Sequence, residues 1–225
     1  MRVMIFIDNS NFFNSILNLK KDRNQDRVID YHKLNKFVLN YLSKNPQYER
    51  QTLFHMRTYY YDGEYTDTLL NKIKQHLNSI TLIPENGEEI HKIKERLEKV
   101  TRRMKAQKRE MDRCKNFYFF ETRLKPLQYG KKQGAFQKGV DVQLAVDLVS
   151  NAYLNNYDIA VLFSGDIDLL ESLKLIKSLG KHIIIFSHYS NIAKEMLKES
   201  DLFVDFQRLD NDILDKFSHI FEKHD

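Results

Sequence analysis

The sequence predicts an α/β chain with a mainly parallel sheet and helices on both faces, and three observations lead there. Short runs of branched apolar residues at 3–7, 159–163 and 182–186 have the length and texture of buried parallel strands. Segments of ten or so residues with apolar positions at helical spacing lie between such runs, as βαβ units require. Two of the strands give way at once to aspartates, Asp8 directly after Ile7 and Asp166 after Ser164-Gly165. In open α/β sheets the carboxyl ends of strands are where ligands bind.

Taken in order, the strand at 3–7 leads through Asp8 into a helix marked by Phe12, Phe13, Ile16, Leu17 and Leu19, with Asn9 or Ser10 as its expected cap. Residues 18–30 are polar and read as a loop, and 31–42 resume helical spacing with Leu34, Phe37, Val38, Tyr41 and Leu42. The alternation at 53–61 predicts a strand ending in the turn-like pair Asp62-Gly63, followed by a helix over 67–77 and a short strand at 81–83 closed by Pro84. A long charged helix is expected over 88–113, with Ile90, Ile93, Leu97, Val100, Met104 and Met111 as a thin apolar stripe. A strand at 116–124 and a flexible loop at 126–137 follow. The next helix presents Val140, Leu144, Ala145, Leu148 and Ala152 on one face. After the strand at 159–163 come a helix over 169–179 ended by Gly180, a strand at 182–186, a helix at 192–198, a strand at 202–206 and a terminal helix at 211–221. Neither a repeat nor a second core is evident, so residues 1–225 read as a single domain with a basic helical insertion at about 88–113.

Bulk properties narrow the classes of function. A chain of 225 residues that is 42% hydrophobic can bury a substantial core. No run approaches the ~20 apolar residues of a membrane span. The first apolar run is cut by Asp8 after five residues, too short for a signal-peptide core, so a cytoplasmic protein is expected. The single cysteine, Cys114, excludes an internal disulfide and thiolate metal sites. Net charge is +5, yet residues 91–138 hold 16 Lys and Arg against 5 Asp and Glu, a local +11 that leaves −6 for the rest. A basic insertion on a mildly acidic body suggests a polyanionic partner, with a solvated face as the plain alternative.

The aspartates carry the chemistry. Asp8 and Asp166 follow strands, Asp168 comes two residues later, and Asp141 falls in the first turn of a helix. Adjacent strands lie about 4.8 Å apart, so if those bearing Asp8 and Asp166 are neighbours their carboxylates converge. Carboxylates that close repel unless a proton or cation sits among them. Mg²⁺ or Mn²⁺ meets that need, since hard cations take oxygen ligands. No histidine, cysteine cluster or Ser-His pair occupies an equivalent position, which leaves metal-assisted hydrolysis as the fitting chemistry. Asp147 lies six residues beyond Asp141, some 240° around a helix at about 100° per residue, so it ranks below Asp141. Asn11 and Ser164 are candidates to orient a carboxylate or a water. Lys138 and the basic stretch 92–132 are candidates to hold a polyanion's backbone. Each has a bland alternative: a helix cap for the aspartates, a helix-start residue for Asn11, a turn residue for Ser164 and a solvated cation for Lys138.

FIDNSN near the start, KGVDVQLAVDLV in the middle and FSGDIDL after it resemble the three motifs of the NYN domain, a PIN-like nuclease family that includes LabA-like bacterial proteins. The resemblance extends in order and spacing from Val3 to about Phe206. It implies a Rossmann-like (PIN-like) parallel sheet, an acidic pocket for a divalent metal, and endoribonuclease activity on RNA, single-stranded or structured. By position, Asp8, Asp141 and Asp166 match the metal-binding acids, Asp168 a supporting acid, and Asp147 the second acid of the middle motif. Arg102, Arg103, Lys105, Lys108 and Arg109 of the insertion become expected RNA contacts, and its apolar stripe offers a way to pair with a second copy. Competing readings fit less well. A haloacid-dehalogenase-type phosphotransferase resembles D-x-D-x-T, but Ser10 stands where its second acid belongs, and a response-regulator receiver lacks its later lysine. A non-catalytic RNA-binding or scaffold protein remains the alternative of a different class.

Overall fold

The computed structural model describes residues 1–81 and 87–220. In chain order its elements are β1 (Arg2–Asp8), α1 (Asn9–Arg23), β2 (Arg27–Ile29), α2 (Tyr31–Ser43), β3 (Phe54–Glu64), α3 (Asp67–Thr81), α4 (Gly87–Cys114), β4 (Phe120–Pro126), β5 (Gln128–Gly130) and β6 (Gly134–Phe136). The second half adds α5 (Val140–Tyr153), β7 (Ile159–Phe163), α6 (Leu170–Ser178), β8 (His182–Ser187), α7 (Lys194–Glu199), β9 (Leu202–Asp205), α8 (Asn211–Leu214) and β10 (Ser218–Ile220).

The main sheet runs β4-β3-β1-β7-β8-β9. Strand β1 pairs in parallel with β3 on one side and β7 on the other, and β7-β8 and β8-β9 are parallel too. The expected α/β class and mainly parallel sheet are therefore present. Because the chain first builds outward from β1 to β3 and later returns to place β7 on its other edge, a crevice opens at the carboxyl end of β1. That is where Asp8 sits.

Contacts divide the chain into two compact units, one formed by residues 1–61, 117–122 and the chain from 141 on, the other by 62–116 and 123–140. In the first unit every residue from Val3 to Asp8 is buried, as expected of a strand covered on both faces. Register shows how. Phe163 lies beside Ile7, and its ring meets Phe12 of α1 at 4.8 Å and stacks on Phe186 at 5.0 Å. Phe37 of α2 packs on that same Phe186. Phe6, one residue from Ile7 and so on the opposite face, packs against Tyr157, whose hydroxyl donates to the Leu148 carbonyl of α5. Helices α1 and α2 thus cover one face and α5 the other.

In the second unit, Ile93 and Val100 of α4 are buried with Leu69, Leu70, Ile73 and Ile80 of α3, and Ile90, Leu97 and Met104 pack around them. The apolar stripe of the long helix, from Ile90 to Met104, thus packs against the chain's own α3. Cys114 is buried and unpaired, consistent with a packing role.

Several local expectations change. Helix α1 runs on through Arg23, ending with Lys20, Lys21 and Arg23 in its last turn and Asn24 in the left-handed region, so part of the expected polar loop is helix. Strand β3 continues through Asp62-Gly63 to Glu64 instead of turning there. A Cβ on Gly63 would meet Leu127 Cδ2 at 2.3 Å, so glycine at 63 allows a close approach within the second unit. The strand at 116–124 is shifted to β4, and the loop at 126–137 contains the paired strands β5 and β6. Thr81 belongs to α3, and the remainder of the expected strand at 81–83 lies outside the described residues. The terminal helix is only α8; β10 follows and pairs antiparallel with β2.

Candidate metal centre

Strand parity aims Asp8 at the α5 face. It is two residues beyond Phe6, and its register partner on β3 is Tyr61. Asp8 is 2% exposed and caps α1, so the cap is the aspartate itself and not Asn9 or Ser10. Its Oδ1 accepts from the Asn11 N–H (3.2 Å) and the Ser10 hydroxyl (3.1 Å), while Oδ2 accepts from Ser164 Oγ (3.0 Å). Capping and site roles coexist because a carboxylate has roughly four acceptor positions.

Asp141 reaches the same place from the first turn of α5, which the chain enters through Gly139 at φ 76°, a left-handed value that suits glycine. Asp166 comes from the turn after β7. One carboxylate oxygen from each of Asp8, Asp141 and Asp166 lies within 4.8 Å of the others. Asp166 also accepts from the Asp168 N–H (3.1 Å), capping a single helical turn at Ile167–Leu169, so the capping alternative holds for Asp166 as well.

The turn that carries Asp166 is tightly held. The Gly165 N–H donates to Asn11 Oδ1 (2.9 Å), the Asp166 N–H donates to Ser164 Oγ (3.2 Å), and the Gly165 carbonyl accepts from the Ala193 N–H (3.1 Å). A Cβ on Gly165 would lie 2.3 Å from the Asn191 carbonyl oxygen and 2.6 Å from Ile192 Cα, so only glycine fits. Asn191 was not legible in the sequence. Its Nδ2 donates to Asn11 Oδ1 (2.9 Å), the Asn11 carbonyl (3.0 Å) and Ser15 Oγ (2.9 Å), fixing the amide that in turn fixes Gly165. No local pattern reveals it, since it lies 180 residues from Asn11.

Electrostatics mark the cluster as strained. Burial pushes the Asp8 carboxyl up to about 6, partly offset by its hydrogen bonds from Asn11, Ser164 and Ser10, and Asp141 pushes it further upward. Asp141 is also raised, first by burial and then by the charges of Asp166 and Asp168. Among the described residues, the causes that act on these two carboxyls are burial, hydrogen bonds and other carboxylates. Three oxygen donors converging in this way form a donor set that suits a hard divalent cation.

The other expected site residues are placed as follows. Asp168 is exposed beside Asp141. Asp147 is not one of the three clustered acids and accepts from the Tyr61 hydroxyl at 2.9 Å. Lys138, Arg102, Arg103, Lys105, Lys108 and Arg109 are exposed. All five α4 cations lie in the second unit, where Arg103 also donates to the Tyr65 hydroxyl.

The family model for the NYN domain matches residues 2–210. The chain belongs to the NYN domain family. NYN domains are generally nucleases, and the three-acid cluster fits that trait. The chain is also similar to the low amplitude and bright protein LabA of Synechococcus elongatus, 32% identical over 71 residues, a match spanning 31% of this chain and only 37% of that protein. Among solved structures, a protein of unknown function from Vibrio parahaemolyticus shares the fold at a TM-score of 0.51 and 15% identity, covering 97% of this chain and 96% of its own. Among the described residues, no helix of this NYN domain is long and apolar enough to cross a membrane.

Proposed function

We propose that this NYN domain is a cytoplasmic, divalent-metal-dependent endoribonuclease, with Asp8, Asp141 and Asp166 holding Mg²⁺ or Mn²⁺. The observation that carries the reading is the convergence of three carboxylates from separate segments within 4.8 Å, one of them buried. Bound there, such a cation supplies Lewis-acid activation of water and charge compensation at the scissile phosphate. The chain's own residues prepare the ground. Ser10, Asn11 and Ser164 hold Asp8 in one orientation, and the Asn11–Gly165 bond fixes the turn that presents Asp166. In this reading Asp168 orients a water or receives its proton, which its exposure and its action on Asp141 support. Lys138, Arg102, Arg103, Lys105, Lys108 and Arg109 hold the RNA backbone by charge, which confers affinity without reading bases.

The test is cleavage of single-stranded and structured RNA, with DNA alongside, in Mg²⁺, Mn²⁺ or chelator. The expected result is internal cleavage of RNA with 5′-phosphate ends, present only with metal and lost in Asp166→Asn. Equal cleavage by that variant, or cleavage undiminished in chelator, contradicts the reading.

A further inference from the structure

Helix α5 has nine apolar residues among its fourteen, more than one buried face needs. Val140, Leu144, Leu148 and Ala152 are buried. On a different side of the helix, Val142, Val146, Val149 and Tyr153 follow one another at steps of four, three and four, the spacing of a helix-pairing seam. Val142 is 64% exposed, Val146 58% and Tyr153 78%. Leu175 and Leu179, at and just beyond the end of α6, line the same groove of about 710 Å³ at 47% and 39% exposure. A helix that is apolar on two sides calls for cover on both.

The chemistry of the groove decides what covers it. None of its lining residues is basic, and Asp141 and Asp168 stand at one end, so a polyanion has nothing to hold it there. The stripe is instead complementary to itself. Turned about a two-fold axis through the middle of α5, Val142 meets Tyr153 and Val146 meets Val149, so each apolar residue faces another. The exposed apolar lining residues Val142, Val146, Tyr153, Leu175 and Leu179 offer roughly 430 Å² at about 150 Å² per side chain, about half of the roughly 800 Å² per partner of a standard interface, the rest falling to the rim.

We propose that α5 of a second copy lies antiparallel in the α5–α6 groove, forming a homodimer whose centre is a four-helix arrangement of α5 and α6 from both chains. Polar rim residues such as Ser150 complete the contact.

The whole chain tests this in solution by light scattering or sedimentation. The expected mass is twice 26.9 kDa, falling to 26.9 kDa in Val146→Glu with an unchanged circular dichroism spectrum, because two charges would be buried next to the axis. Phe54→Glu, at an exposed apolar residue on β3, keeps the dimer. Direction is tested by thiol cross-linking, since the native Cys114 is buried. In an antiparallel seam the two residues at 146 are offset by only about 4.5 Å along the axis and those at 142 by about 16 Å. A short bismaleimide therefore joins Val146→Cys and not Val142→Cys. A wild-type monomer at about 100 µM, a dimeric Val146→Glu, or efficient joining through Val142→Cys overturns the proposal.

Discussion

Asp8, Asp141 and Asp166 in the first unit and the cationic face of α4 in the second handle charge in opposite ways. The acids are drawn together, and Asp8 is buried and pushed up to about 6 by that burial. The cations Arg102, Arg103, Lys105, Lys108 and Arg109 are fanned into solvent, and α4 is held by its apolar stripe packed on α3. Exposed charge adds little to stability and much to long-range attraction, while crowded buried charge costs stability and creates a demand for a counter-ion. Charge content alone does not separate the two cases. Burial does.

The largest effect is expected at the acids. Asp166→Asn keeps the shape and the cap on Asp168 but removes a ligand charge, so RNA cleavage should drop on the order of 100-fold or more with the fold intact. Steady-state kinetics with a thermal melt as control would show it, and an equal loss of melting temperature would weaken the account.

Next comes the acid under greatest strain. Asp8 binds its proton more tightly in the folded state than in the unfolded state, so between pH 3.8 and about 6 the folded chain retains a proton that the unfolded chain has lost. Metal-free stability should therefore decline as pH rises through that window and level off above it, by up to about 3 kcal/mol for a shift of about two units. Asp8→Asn should remove that decline and make the metal-free protein more stable at pH 8. Stabilisation of the wild type by Mn²⁺ should be large at pH 8 and fade below pH 6, where Asp8 is protonated. Denaturant titrations across pH, in chelator and in Mn²⁺, test all three statements.

A third comparison sharpens the boundary between ligand and support. Asn191→Ala leaves every acid in place but frees Asn11 and hence Gly165, so activity should fall about 10- to 100-fold, as for groups behind a metal ligand. Full activity would show that the turn holds itself.

The smallest change in cleavage chemistry belongs to α4. Replacing its five cations by Gln should weaken RNA binding and flatten the log–log salt slope by up to about 3.5 on single strands, with stability altered by roughly 0.5 kcal/mol or less per site. An unchanged slope would assign that face to something other than nucleic acid.

What the sequence reveals and hides follows the same division. Strands 3–7, 159–163 and 182–186 are legible because both faces are buried, and the acids are legible because they mark the strand ends or, for Asp141, a helix start. Helix geometry likewise ranks Asp147 below Asp141, and Asp147 accepts a hydrogen bond from the Tyr61 hydroxyl. Elements secured by distant partners are not legible. Strand β10 is only Ser218–Ile220 and exists through pairing with Arg27–Ile29, and the β5-β6 pair hides in a stretch rich in Gly and Lys. Asn191 is invisible for the same reason, because its role depends on Asn11, Ser15 and the close packing at Gly165.

The central claim is that three crowded carboxylates hold one divalent cation. Crystals soaked in Mn²⁺ at pH 8 and measured at an energy where manganese scatters anomalously test it directly. The account predicts one strong anomalous peak bonded to oxygens of Asp8, Asp141 and Asp166 and absent in Asp141→Asn. A soaked wild-type crystal with no peak among those three side chains would contradict it.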